Sequence, residues 1–198
     1  MSSAMERLPF MNLTESQRRE LLSLARQSIQ AGIEQGCRTP CPTVPADIVP
    51  PVVRSTFVTL RIGEELRGCC GSIDAHRRLA EDVWNNAWAS AFADPRFPGL
   101  KAEEYPRLDV HISVLSELEP LEIADEAALL KMLRPDVDGL VLEMGAARST
   151  FLPAVWEQIA DPAQFMRQLK LKAGWRGDFW SPRIRVWRYT AESFGESA

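Results

Sequence analysis

The chain has 198 residues, of which 45% are hydrophobic and 25% charged, and its formal net charge is −4. This is the balance of a soluble globular protein of one domain or two small subdomains. No apolar run approaches the roughly 20 residues of a membrane-spanning helix, and the mild acidity provides no global field to recruit nucleic acid or an acidic membrane.

In chain order, Thr14-Glu-Ser-Gln17 has the form of a capping box. Leu22, Ala25, Ile29 and Ile33 then recur at helical spacing until Gly36. Cys37 to Pro51 holds five prolines, which exclude helix and inner strand, so it reads as a surface connection. Residues 55–62 alternate as a strand, Gly63-Glu-Glu supplies a turn, and "LRGCCGSI" is the hairpin partner. A deeply packed helix starts at His76 or Arg77, with Leu79, Val83, Ala87 and Ala91 one turn apart and Trp84 and Trp88 widening the stripe. Asp94-Pro95 stops it in a rigid turn. Residues 108–115 alternate as a strand with Val110, Ile112 and Val114 on one face. Asp125 caps a short helix to Leu133, a hairpin turns at Gly145, Asp161-Pro162 opens a helix closed by Gly174, and 183–189 is a final strand. Hairpins with helices between them predict an α+β fold with antiparallel sheet.

The four cysteines stand at 37, 41, 69 and 70. With no export signal at the start, a cytoplasmic location and free thiols follow. Cys37 and Cys41 could form half of a zinc site, but structural zinc shows two cleanly spaced pairs, so neither metal nor cofactor is expected.

Leu66-Arg67-Gly68-Cys69-Cys70-Gly71 sets two thiols between two glycines. Together with "AEDVWNNAWASAFADPRFPGL" (80–100), "ISVLSELEP" (112–120), "DGLVLEMG" (138–145), "FLPAV" (151–155) and "KAGW" (172–175), this strip resembles the AMMECR-one domain family. The family's hallmark reads Leu-Arg-Gly-Cys-Ile-Gly, with isoleucine where this chain has Cys70. The resemblance covers about residues 15–195 as a single domain and leaves 1–14 as an N-terminal extension. It implies two subdomains, each an antiparallel sheet with packed helices, facing each other across a cleft toward which the hallmark strand points. It also implies kinship with protein A of the AmmeMemoRadiSam system, with a Memo-like protein and a radical SAM protein as partners.

Strict alternation along a strand puts Arg67, Cys69 and Gly71 on one face and Leu66, Gly68 and Cys70 on the other. One reading makes Cys69 a nucleophile, with Arg67 activating it or holding an anion. The other makes Cys69 a small interfacial hydrophobe and Arg67 a structural clamp. Gly68 and Gly71 bare the backbone for a ligand or a partner segment, or serve close packing. Asn86, Asp94 and Arg96 are further candidates for ligand contact, against loop-fixing roles for each. His111 would pair with Cys69 if its strand adjoined the hallmark strand, while His76 reads as a local polar residue. Residues 165–190 carry seven Lys or Arg interleaved with aromatics, a pattern that holds single-stranded nucleic acid. The eleven acidic residues in 103–143 oppose a phosphate backbone, and tryptophan clustering in the C-terminal third more simply signals core.

Overall fold

The computed structural model describes residues 12–196. The described residues divide into two units, 12–116 with 192–196, and 117–191. The expected N-terminal extension lies outside the described residues except for its last three.

The first unit begins with α1 (Glu15–Gln35), whose capping box forms as expected and whose C-cap Gly36 is left-handed. Its buried face is Leu21, Leu24, Ala25, Ser28, Ile29 and Gly32, so Leu22 and Ile33 fall on the rim of the stripe. After the proline-rich connection come β1 (Thr56–Ile62), β2 (Glu65–Gly71), α2 (Leu79–Phe92) and β3 (Leu108–Leu115). α2 starts two or three residues later than the apolar spacing suggested, with Arg78 as its N-cap. β8 (Ala191–Gly195) returns from the far end of the chain to complete a sheet of order β2-β1-β3-β8. α1 and α2 pack on the face that carries Val58, Leu60, Val110 and Ile112, each fully buried. Burying one such side chain contributes about 1.5–3 kcal/mol. Among the described residues no helix of this unit covers the opposite face.

The second unit contains β4 (Glu119–Leu121), α3 (Glu126–Met132), β5 (Gly139–Met144), β6 (Ala147–Phe151), α4 (Pro162–Lys172) and β7 (Arg185–Tyr189), with antiparallel ladders in the order β4-β7-β5-β6. Asp125 and Asp161 cap α3 and α4 through the backbone N–H groups of Ala128 and Gln164. Trp156 stacks on Phe165 at 3.9 Å between ring centroids, and its indole donates to the Asp138 carbonyl. β4 and β8 were not legible as strands, being three and five residues long with polar interruptions.

α2 sits close to the hairpin. A Cβ on Gly68 would overlap the Ser90 carbonyl oxygen, and one on Gly71 would meet the Phe57 ring and the Thr56 carbonyl. Both glycines of the hallmark strip are therefore required by packing. Gly68→Ala is expected to force α2 away from β2 and cost about 1–3 kcal/mol, to be read as a lower midpoint in urea unfolding. An unchanged midpoint would show that helix and strand yield to each other.

Candidate functional site

The hallmark strip is the edge strand β2, and α2 and the turn after it hold that strand along their length. Three buried polar residues of α2, Asp82, Asn86 and Ser90, lie on one line of the helix, and Asp94 continues it. Asp82 Oδ2 accepts from the Thr56 N–H and hydroxyl, both at 2.8 Å, and from Asn86 Nδ2 at 2.9 Å. Asn86 Nδ2 also lies 3.0 Å from the Thr56 carbonyl. Ser90 Oγ accepts from the Cys70 N–H at 2.8 Å and lies 2.7 Å from the Val58 carbonyl, bridging β1 and β2 as a water would. Asp94 Oδ2 accepts from the Cys69 N–H at 2.9 Å, while Arg96 Nη2 donates to the Cys69 carbonyl at 3.3 Å. These two side chains bond the Cys69 peptide groups as a further strand would. Arg96 also forks onto Asp94, through Nε at 3.0 Å and Nη2 at 2.6 Å. The Asn86 amide nitrogen is thus committed to Thr56 of β1 and to Asp82, and Asp94 and Arg96 to β2 and its turn.

The alternation along β2 is broken. Leu60 pairs with Gly68 but Arg61 with Leu66, so Arg67 is an extra, unpaired residue at a bulge. As a result Leu66 shares a register position with Arg61 and is exposed, rather than lying on the Gly68 side as strict alternation required. The bulge re-aims Arg67. Its Nε and Nη2 fork onto Glu104 at 2.7 and 3.0 Å, Nη2 reaches the Pro98 carbonyl at 3.0 Å, and the guanidinium lies 5.9 Å from the Phe97 ring centroid. Arg67 Nη1 is buried without a partner.

Beyond the bulge the register is regular. Thr59 stands opposite both Cys69 on β2 and His111 on β3, so the three form one row on the face without helices. The Thr59 hydroxyl donates to Cys69 Sγ at 3.3 Å. His111 is two strand spacings from Cys69, roughly 10 Å, and its Nε2 lies 3.0 Å from Asp109 Oδ2. A direct Cys69–His111 pair is excluded because β1 runs between their strands. His76 is exposed ahead of α2. Cys70 turns to the other side, where burial first and Asp94 second push its thiol up. Among the described residues no group of three or more His, Cys, Asp or Glu could hold a metal ion, and no helix is long and apolar enough to cross a membrane.

The basic, aromatic run at 165–190 is largely committed to packing. Trp175, Phe179 and Trp180 pack against the second core and Tyr189 is buried. Arg176, Arg185 and Arg188 pair with Asp178, Glu143 and Glu119.

The Arg67 fork holds the Glu104 carboxyl down to about 2, below the ordinary carboxylate range, and Arg96 depresses Asp94 further. A carboxyl depressed in the folded state contributes stability that is complete above its unfolded pKa and lost as pH falls through the folded one. Stability should therefore fall from about pH 4.5 toward pH 2, and less steeply in Glu104→Gln. Arg67→Lys, which cannot reproduce the fork, should cost about 1–3 kcal/mol in chemical denaturation. Equal pH profiles for the wild type and Glu104→Gln would show that the fork is not coupled to folding.

Comparison with known proteins finds similarity across nearly the whole chain. The family model AMMECR1 matches residues 22–194. A protein of Methanothermobacter thermautotrophicus is 35% identical over 189 residues, covering 93% of this chain and 96% of its own. A protein of Thermofilum pendens is 34% identical, covering 89% and 88%. The crystal structure of the uncharacterized protein PH0010 from Pyrococcus horikoshii superimposes with a TM-score of 0.85 at 31% identity, covering 93% of this chain and 94% of that one. The chain belongs to the AMMECR1 family.

Proposed function

We propose that this protein is a recognition subunit that binds a partner or ligand through the helix-free face of its first sheet, around Cys69, Thr59 and His111. The reading rests on one observation: a thiol, a hydroxyl and an imidazole form a row across three adjacent strands on a face that α1 and α2 leave uncovered. A sheet face bearing hydrogen-bonding side chains in fixed register is a rigid template for recognition. Recognition is favoured over covalent catalysis because the groups that would activate the thiol are occupied. Arg67 is held by Glu104 and His111 by Asp109. By family resemblance the partners are a Memo-like protein and a radical SAM protein, met in a reducing cytoplasm where the thiol stays free.

The test is complex formation with those two proteins from the same organism, measured by calorimetry. Thr59→Arg, which places a cation in the middle of the row, should weaken binding at least about tenfold, a difference of about 1.4 kcal/mol. Its melting temperature should stay within about 3 °C of wild type, as for a change outside the core. Cys69→Ser should bind nearly as well as wild type. No complex with either protein, or one indifferent to Thr59→Arg, would sink the proposal.

A second reading, in which Cys69 acts covalently, is favoured by the Thr59 hydroxyl at its sulfur. It requires Cys69 to outpace Cys37, Cys41 and Cys70 under limiting alkylating reagent, read by peptide mapping. Slow, equal labelling of all four would retire it.

A further inference from the structure

The proline-rich connection between α1 and β1 is long for a segment without regular structure, and such loops are commonly functional. It is fixed at both ends to α2. The Trp84 indole donates to the Thr39 carbonyl at 2.8 Å, and the Leu79 N–H donates to the Val52 carbonyl at 2.8 Å. Between these anchors the loop and α2 line an open cavity of about 560 Å³. That volume falls within the range of small-molecule sites, roughly 300–1,000 Å³. Its apolar wall comes largely from Pro40, Pro42, Pro50 and Pro51, whose fixed φ presets the shape before anything binds.

The charged lining is distinctive. Arg38 from the loop and Arg78 from the start of α2 both line the cavity at exposed positions, and neither guanidinium has a side-chain partner among the described residues. Most other arginines of this unit, including Arg18, Arg26, Arg67, Arg77 and Arg96, are paired with a carboxylate. Glu81 is the one acidic residue in the lining, so two cations against one anion leave a net charge of +1. Burial first, and then Glu81, push the Cys41 thiol up to about 11, so Cys41 presents a neutral, unreactive wall. An unpaired guanidinium offers a planar fork of donors that matches carboxylate and phosphate oxygens.

We propose that this cavity is a second site, separate from the Cys69 row, which binds a small organic oxyanion with its acid group between Arg38 and Arg78 and its apolar body against the prolines. A carboxylate and a phosphate share the required chemistry. Asn85 donates one amide N–H to the Glu81 carbonyl at 2.7 Å and keeps its second N–H and its Oδ1 as hydrogen-bonding points for the body.

Phenyl phosphate and benzoate, titrated into the full chain and followed by two-dimensional ¹H–¹⁵N NMR, test this directly. The Trp84 indole and the Ala80 amide should shift saturably, with a Kd on the order of 1 mM for at least one of the two acids. The tighter acid identifies the head group. Benzyl alcohol, similar in size but neutral, should bind at least about tenfold more weakly. Arg38→Gln combined with Arg78→Gln should lower the affinity at least about tenfold, and Glu81→Gln should raise it. Signals of the Cys69 row should stay in place, so that failure here is distinguishable from failure of the partner-binding proposal. The proposal is overturned if neither acid gives saturating shifts up to about 20 mM, if benzyl alcohol binds as well, or if the double variant keeps its affinity with an otherwise unchanged spectrum.

Discussion

A line of polar side chains along α2 fixes the first unit. A buried polar group without a partner costs about 1–3 kcal/mol, and α2 buries three in succession at four-residue spacing before Asp94 adds a fourth. All four are satisfied by the hairpin: Asp82 and Asn86 by Thr56, Ser90 by Val58 and Cys70, and Asp94 by Cys69. Apolar packing alone tolerates a helix sliding or rotating on a sheet. Four directional contacts at one spacing do not, because a slip of one residue would leave each group unpaired. The position of the hallmark strip follows from this line.

The strip itself combines closeness with an irregularity. Gly68 admits the α2 backbone, and the bulge turns the Arg67 side chain toward Glu104 and Pro98. The open edge of β2 is thus closed by Asp94, Arg96 and the segment that Arg67 grips, and no further strand is needed. An uncovered edge invites pairing with other chains, and here side chains of the following turn occupy it. What stays uncovered by the unit's helices is the face of the sheet, with Cys69, Thr59 and His111 in register.

Much of this was legible in the sequence where a single local rule governs. The Thr14 capping box, the Asp125 and Asp161 caps, and the alternation of β3 each depend on residues a few positions apart. The polar line of α2 is present too, at 82, 86, 90 and 94, but it shares its four-residue spacing with the stronger apolar stripe at Leu79, Val83, Ala87 and Ala91. The bulge was not legible, since alternation is a property of one strand and a bulge is a property of a pair. For the same reason Arg67 and Cys69 read as a functional couple although Glu104, 37 residues away, holds the guanidinium. The separation of Cys69 from His111 depends on strand order, which no local pattern encodes.

The return of β8 to the first sheet bears on how the chain is made. Residues 117–191 form one continuous stretch, whereas the first unit is built from two pieces on either side of it. During synthesis α1, the β1–β2 hairpin, α2 and β3 emerge first, yet their sheet lacks its fourth strand until residue 195 has left the ribosome. Glu192 on that strand binds the Leu13 N–H and Arg18, so the beginning of α1 also waits for β8 to emerge. The unit encoded second holds all of its own strands before the unit encoded first is complete. Domains that fold as units during synthesis usually do so from the N-terminus onward, and here the order of completion is reversed. For that interval the β3 edge stands open, so the nascent chain is exposed to mispairing at the strand where β8 must dock.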